Sequence, residues 1–267
     1  MNKTHKMGKE ATNSAQNDNA KQLTLQGERL ILNGERAVIW LDAPRGTSGT
    51  PGASICRTLL LSDTHFGKAE TFQEHGIPVP GGETDRDLQR LTRLTEANDI
   101  DRIIVLGDLF HSKRNSSWDR VFSAFGALSG LDLVLIMGNH DIIHQSDYES
   151  IGFRCFEELA LGPFLLRHHP PENDYAVKTA GAELPDPGPS DPEKLYRICG
   201  HLHPSFRLHG AARQRLTLPC YWVRPDCLIL PAFGSFTGTH PVTPGAGDSI
   251  WVVAGDSVLP AHIARGD

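Results

Sequence analysis

The sequence predicts an α/β fold, with a helix-covered sheet in the first half and a second, more antiparallel sheet behind it. Three observations point there. Strand-like and helix-like segments alternate up to about Gly152. Beyond it, short strand-like runs follow one another with no helical pattern between them, as antiparallel sheets allow. Five of the strand-like runs end in clusters of oxygen and imidazole donors, the position where open α/β sheets hold ligands.

The elements follow in order. Residues 1–21 are polar and without periodicity, which predicts a disordered N-terminal extension to a single domain spanning 22–262. Order is expected from Leu23. Arg29–Leu32 and Ala37–Leu41 flank Asn33-Gly34-Glu35, a hairpin signal. After a Gly/Pro/Ser loop, Thr58–Ser62 reads as a strand ending in Asp63-Thr64-His65-Phe66-Gly67-Lys68. A loop then leads to a helix opening near Thr84, with Leu88, Leu91 and Leu94 on one face. Arg102–Leu106 is a strand ending in Gly107-Asp108-Leu109-Phe110-His111. Ser116 or Ser117 is expected to cap a helix through Trp118, Val121, Phe125 and Leu128, ended by Gly130. The apolar run Leu131–Met137 is a buried strand, and it delivers Gly138-Asn139-His140-Asp141. Phe164–Arg167 ends in His168-His169, and Leu195–Cys199 ends in Gly200-His201-Leu202-His203. Residues 172–192, rich in Pro, Asp and Gly, read as a surface insertion. Further strands are expected at 216–218, 221–223, 227–230 and 250–253.

Formal net charge is -6, so bulk charge gives no case for a nucleic-acid binder. A polyanion would have to be held by local cations or metal. Five cysteines, an odd number with no CxxC spacing, argue against a disulfide framework or a thiolate zinc site and fit a reducing cytoplasm. No apolar stretch has the length of a membrane span, and the N-terminus has no apolar signal region.

Asp63, His65, Asp108, Asn139, His168, His201 and His203 are all oxygen or imidazole donors. Such a set suits Mn, Zn or Fe. The order Asp-x-His, Gly-Asp, Gly-Asn-His-Asp, His and Gly-His-x-His resembles the calcineurin-like metallophosphoesterase superfamily, whose five signature blocks all fall between Asp63 and His203. The resemblance implies a four-layer α/β/β/α sandwich, two mixed sheets flanked by helices, with a dinuclear site between the sheets. By position, Asp63, His65, Asp108 and His203 would hold one metal; Asp108, Asn139, His168 and His201 would hold the other. His140 would meet the scissile phosphate and Asp141 would orient it. In the fourth block either His168 or His169 can be the ligand; His168, which ends the strand, is the choice made here. The segments 61–68, 76–81, 107–112, 200–204, 218–220 and 230–238 are further similar to the bacterial ligase-associated DNA damage response endonucleases, the PdeM group. That similarity implies a manganese-dependent endonuclease acting on DNA, single-stranded by expectation, in repair alongside a DNA ligase and a helicase.

The expected reaction is phosphodiester hydrolysis by a hydroxide bridging two metal ions, with His140 stabilising the transition state or protonating the leaving oxygen. Lys68, His111, Arg207, Arg213 and Arg215 are candidate phosphate contacts, with Arg213 and Arg215 ranked first. Residues Phe233–Gly238 are a candidate aromatic wall for unstacked bases. Two other readings use the same residues: a phosphoesterase for nucleotides or other small phosphodiesters, and a non-catalytic protein-binding scaffold.

Overall fold

The computed structural model describes residues 19–42, 55–171, 195–210 and 214–261. The first sheet runs β1 (Lys21–Leu25), β2 (Glu28–Leu32), β3 (Val38–Asp42), β4 (Cys56–Leu61), β5 (Arg102–Leu106), β6 (Asp132–Ile136) and β7 (Phe153–Phe156), neighbours in space as in sequence. Strands β1 to β4 form an antiparallel meander, and β4 to β7 are parallel. Parallel strands need crossovers, and helices supply them: α1 (Lys68–Glu74) and α2 (Glu83–Ala97) between β4 and β5, α3 (Trp118–Ala127) before β6, and α4 (Gln145–Glu149) before β7.

The second sheet contains β8 (Glu158–Leu161), β9 (Phe164–Arg167), β10 (Tyr196–Cys199), β11 (Pro204–His209), β12 (Arg215–Val223), β13 (Cys227–Ile229) and β14 (His240–Pro241), in the order β14-β11-β12-β13-β10-β9-β8. Two more strands, β15 (Ser249–Ala254) and β16 (Ser257–Pro260), extend it from β12. It is mixed: β10 runs parallel to β9 and β13, whereas β12 is antiparallel to β11, β13 and β15.

Side-chain alternation explains the layering. Leu59, Leu61, Ile103, Val105, Leu133 and Leu135 join Leu88, Leu91, Leu94, Trp118, Val121 and Phe125 in a core under the helices. The alternate residues Leu60, Ile104, Leu106, Val134 and Ile136 meet Phe164, Leu166, Ile198, Tyr221, Leu228 and Leu230 between the sheets. Strands buried on both faces must read as unbroken apolar runs, which is why β4, β5 and β6 were visible in the sequence.

The far face of the second sheet carries Cys220, Ile250 and Val252 with Phe206, Leu208 and Trp222, and no described helix contributes to it. The described residues therefore supply α, β and β layers. Other differences are local. Strand β1 starts at Lys21, two residues before the expected onset of order. Helices α1 and α4 were not expected; seven and five residues are too few for an apolar period to show. Leu216–Leu218 and Tyr221–Val223 form one strand running through Pro219. Ser117 does not cap α3: its hydroxyl donates to Asn115 Oδ1 instead. The insertion expected at 172–192 lies outside the described residues.

Candidate metal centre

The five donor clusters follow β4, β5, β6, β9 and β10, and their loops are laced together by backbone hydrogen bonds. Asp63 N donates to Gly107 O (3.1 Å), His65 N to Asp108 O (2.9 Å), Gly200 N to His168 O (3.0 Å) and Gly234 N to Asp63 O (3.1 Å). Asp63, His65, Asp108, His201 and His203 have φ of 53°, 45°, 55°, 71° and 47°. A non-glycine residue held there costs about 1–3 kcal/mol and persists only where its surroundings enforce it. Strain collected on donors rather than on turns marks a functional site.

The glycines beside the donors leave room for them. A Cβ on Gly107 would lie 2.1 Å from His168 Nδ1, and one on Gly138 would lie 2.3 Å from Asp108 Oδ1. On Gly200 it would lie 1.7 Å from Ser62 Oγ and 2.7 Å from Asp63 Oδ2. Ser62 donates to that same oxygen, as does His201 N at 2.9 Å. Gly200→Ala is therefore expected to cost about 1–3 kcal/mol by overpacking and to weaken metal binding by displacing Asp63. Thermal melts with and without manganese measure both effects; unchanged midpoints would contradict the assignment.

Hydrogen bonds set the histidine tautomers. His168 Nδ1 donates to Leu106 O at 2.8 Å, so Nε2 presents a lone pair. That lone pair faces Asn139 Oδ1 at 3.1 Å, His201 Nδ1 at 3.1 Å and Asp108 Oδ1 at 3.5 Å. His203 Nδ1 donates to Gly238 O at 3.0 Å, and its Nε2 faces Asp63 Oδ1 at 3.3 Å and His65 Nε2 at 3.4 Å. His65 Nε2 is 3.6 Å from Asp108 Oδ2. Acceptors so crowded repel one another unless cations lie among them. Donors about 2.1 Å from a shared ion, in tetrahedral or octahedral array, are about 3.0–3.4 Å apart, so the spacing fits divalent ions. Asp63 Oδ1 is also buried without a hydrogen-bond donor. The two oxygens of Asp108 divide between the His168 and the His65 side.

Electrostatics agree. Burial pushes Asp63 up, but the His203 and His168 imidazoles and the Ser62 hydroxyl outweigh it and hold the carboxyl well below the usual carboxylate range. Burial, reinforced by the Asp63 charge, raises Asp108 against the pull of His168. Burial lowers His65 to about 3 and His201 to about 4, so both are neutral, as metal ligands must be. Burial opposes protonation of His203, yet Asp63 beside it raises its pKa.

The other expected residues fare differently. His140 reaches the site: its ring lies 5.1 Å from that of His65 and stacks at 5.2 Å on His111. Its Nδ1 donates to His111 O at 2.9 Å, and its backbone N–H donates to Asp108 Oδ1 at 2.8 Å. Asp141 was expected to orient His140, and here the structure corrects the reading. The buried Asp141 carboxylate accepts from Asp108 N (2.8 Å), Gly138 N (2.9 Å), Leu109 N (3.0 Å) and the Tyr148 hydroxyl (3.1 Å). It pins the two donor loops together, while a backbone carbonyl orients His140. Burial raises Asp141 to about 6.

His111 joins the site through His140 and His65, and burial lowers it to about 4. Lys68 opens α1 beside His65, half-buried, its pKa lowered by burial. His169 stands with its ring 4.3 Å from that of His201, and its ligand atom lies within 4.8 Å of those of His168 and His201, while His168 faces Asn139 and Asp108 as well. Arg215 is exposed and pairs in register with His209, so it sits at the end of the β11–β12 ribbon rather than at the centre. Arg213 lies outside the described residues. Phe233 is buried under Arg90 and cannot be a wall for bases, whereas half-exposed Phe236 packs on Phe72, which packs on His111. Sequence reasoning missed Ser62 and Tyr148, ordinary residue types with no spacing signal, and the carbonyls of Leu106, His111 and Gly238, which no residue type announces.

Residues 56–180 match the calcineurin-like phosphoesterase family. Among solved structures the chain is similar to Pseudomonas putida nuclease MPE, at 28% identity and a TM-score of 0.66, over 91% of this chain and 100% of that one. It is also similar to Yfce, a phosphoesterase from E. coli, at 14% identity and a TM-score of 0.40, over 75% of this chain and 95% of that one. No curated protein matches. With these donor blocks gathered at one end of two packed sheets, the chain is similar to the calcineurin-like phosphoesterases over residues 56–180 and to the nuclease over that protein's whole length.

Proposed function

We propose that the chain is a two-metal phosphodiesterase that cuts DNA internally, with manganese as its working ion. The observation that carries this is the pair of donor sets sharing Asp108. Asp63, His65 and His203 lie on one side, with Asn139, His168 and His201 on the other. His168 rather than His169 completes the second set, because its Nε2 is the one aimed at Asn139 and Asp108. Two divalent ions there would neutralise phosphate charge and lower the pKa of water.

The chain's own groups do the rest. His140 is held by its Nδ1–H on the His111 carbonyl, which turns Nε2 outward; in the imidazolium form Nε2–H donates to a phosphate oxygen or gives its proton to the leaving oxygen. Asp141 is a positioning residue, keeping the loops of Asp108 and His140 in register. Lys68 and His111 lie beside the same rim and add positive or hydrogen-bonding character toward an anion. DNA as substrate is supported by the Pseudomonas putida nuclease, which this chain resembles along that protein's whole length. The cysteines form no disulfide among the described residues, which fits a reducing cytoplasm.

Incubation with manganese and circular single-stranded DNA tests the reading. Linear product is expected, because only internal cutting opens a circle. Hydrolysis of bis-p-nitrophenyl phosphate with the circle left intact would transfer the reading to small phosphodiesters.

A further inference from the structure

We propose that the β11–β12 ribbon is a second substrate surface, a track for the phosphate backbone of a single-stranded nucleic acid leaving the metal centre. The inference rests on the phosphodiesterase reading above and assigns that reading a site for the distal part of its substrate.

The ribbon starts where the site ends, since Pro204 follows the donor His203 directly. Its register pairs Arg207 with Thr217 and His209 with Arg215, and directly paired residues of antiparallel strands share a face. That face therefore carries Arg207, His209, Arg215 and Thr217, all exposed. The opposite face carries Phe206, Leu208 and Leu218, packed on the outer cluster of the second sheet. Along β12 the basic face is that of Tyr221, which belongs to the core between the sheets. At about 3.3 Å per residue, Pro204 to His209 spans about 16 Å. Arg207 and Arg215 thus reach phosphates beyond the scissile one.

Charge selects the partner. Residues 204–225 contain four arginines and no Asp or Glu, in a chain of net charge -6. Most described arginines are neutralised by a carboxylate, as Arg90 is by Asp87, Arg120 by Glu70 and Arg154 by Asp132. Arg207 and Arg215 have no ion-pair partner among the described residues. Unpaired guanidinium groups in a row, continuous with a site for phosphodiesters, suit successive backbone phosphates.

The test compares wild type, R207Q/R215Q and R207K/R215K, loaded with manganese, on a thirty-nucleotide oligothymidylate and on bis-p-nitrophenyl phosphate. For R207Q/R215Q, kcat/KM on the oligonucleotide is expected to fall about tenfold, mainly through KM. The slope of log kcat/KM against log salt should become shallower by about 1.4, at about 0.7 per lost single-strand phosphate contact. The small ester should be cleaved at the wild-type rate, and the lysine pair should recover most of the loss. Wild-type cleavage of the oligonucleotide by R207Q/R215Q would overturn the ribbon's role and leave the phosphodiesterase reading standing. Equal losses on both substrates would overturn it in favour of a structural role. A wild-type protein inactive on both would instead remove the phosphodiesterase reading itself.

Discussion

His140→Ala is expected to lower kcat on phosphodiesters by about 10²–10³-fold while both metals stay bound. His140 is not among the crowded acceptors. Its Nδ1 is spent on the His111 carbonyl, and its ring lies edge-on to His65 and stacked on His111. What alanine removes is one donor aimed at the place where charge develops, together with a ring that shields it. The backbone bond from His140 N to Asp108 Oδ1 survives the substitution, so the donor set is undisturbed. Metal analysis of the desalted protein alongside turnover on bis-p-nitrophenyl phosphate separates the two effects. Wild-type turnover would remove His140 from the mechanism; loss of metal would make it a ligand.

Asp108→Ala is expected to abolish hydrolysis by abolishing metal binding. Asp108 turns one oxygen toward His65 and the other toward His168, so its loss opens both sites at once. In wild type, metal binding stabilises the fold by about 2.7 kcal/mol when the free ion is at a hundred times its Kd. That gain should vanish in the variant. At pH values where Asp108 is ionised in the metal-free fold, the metal-free variant should not be less stable, and the sign follows from the shift. Burial raises the folded-state pKa of Asp108, so its ionised form costs stability as pH rises through that value, and alanine removes the cost. Melting curves with manganese and with chelator read both quantities. A manganese-induced rise equal to that of wild type would contradict the shared-ligand assignment.

The parts legible in the sequence were those with a period or a polar interruption. Strands β4, β5 and β6 are buried on both faces, so they read as apolar runs ending abruptly in Asp63, Asp108 and Asn139. Helix α2 announced itself through Leu88, Leu91 and Leu94. Helices α1 and α4 and strands β7, β8, β11, β14 and β16 did not, being short or sited where packing across the sheet decides the conformation. Residue type singled out the candidate metal donors, because packing alone does not gather so many histidines and carboxylates at strand ends. Support was less legible. The role expected of Asp141 came with the family resemblance, yet adjacent residues on a turn point apart. The carboxylate turns inward to Tyr148 and three backbone N–H groups, while His140 turns to a carbonyl 29 residues away. Arg215 was expected near phosphate because it follows Gly-His-Leu-His on one strand face with Arg213, but an extended ribbon carries it away from the centre.

The central claim is that two ions share Asp108. Anomalous scattering from a crystal soaked in manganese tests it most directly. Two peaks are expected flanking the Asp108 carboxylate, one among Asp63, His65 and His203, the other among Asn139, His168 and His201. A single peak, or peaks away from these donors, would contradict it.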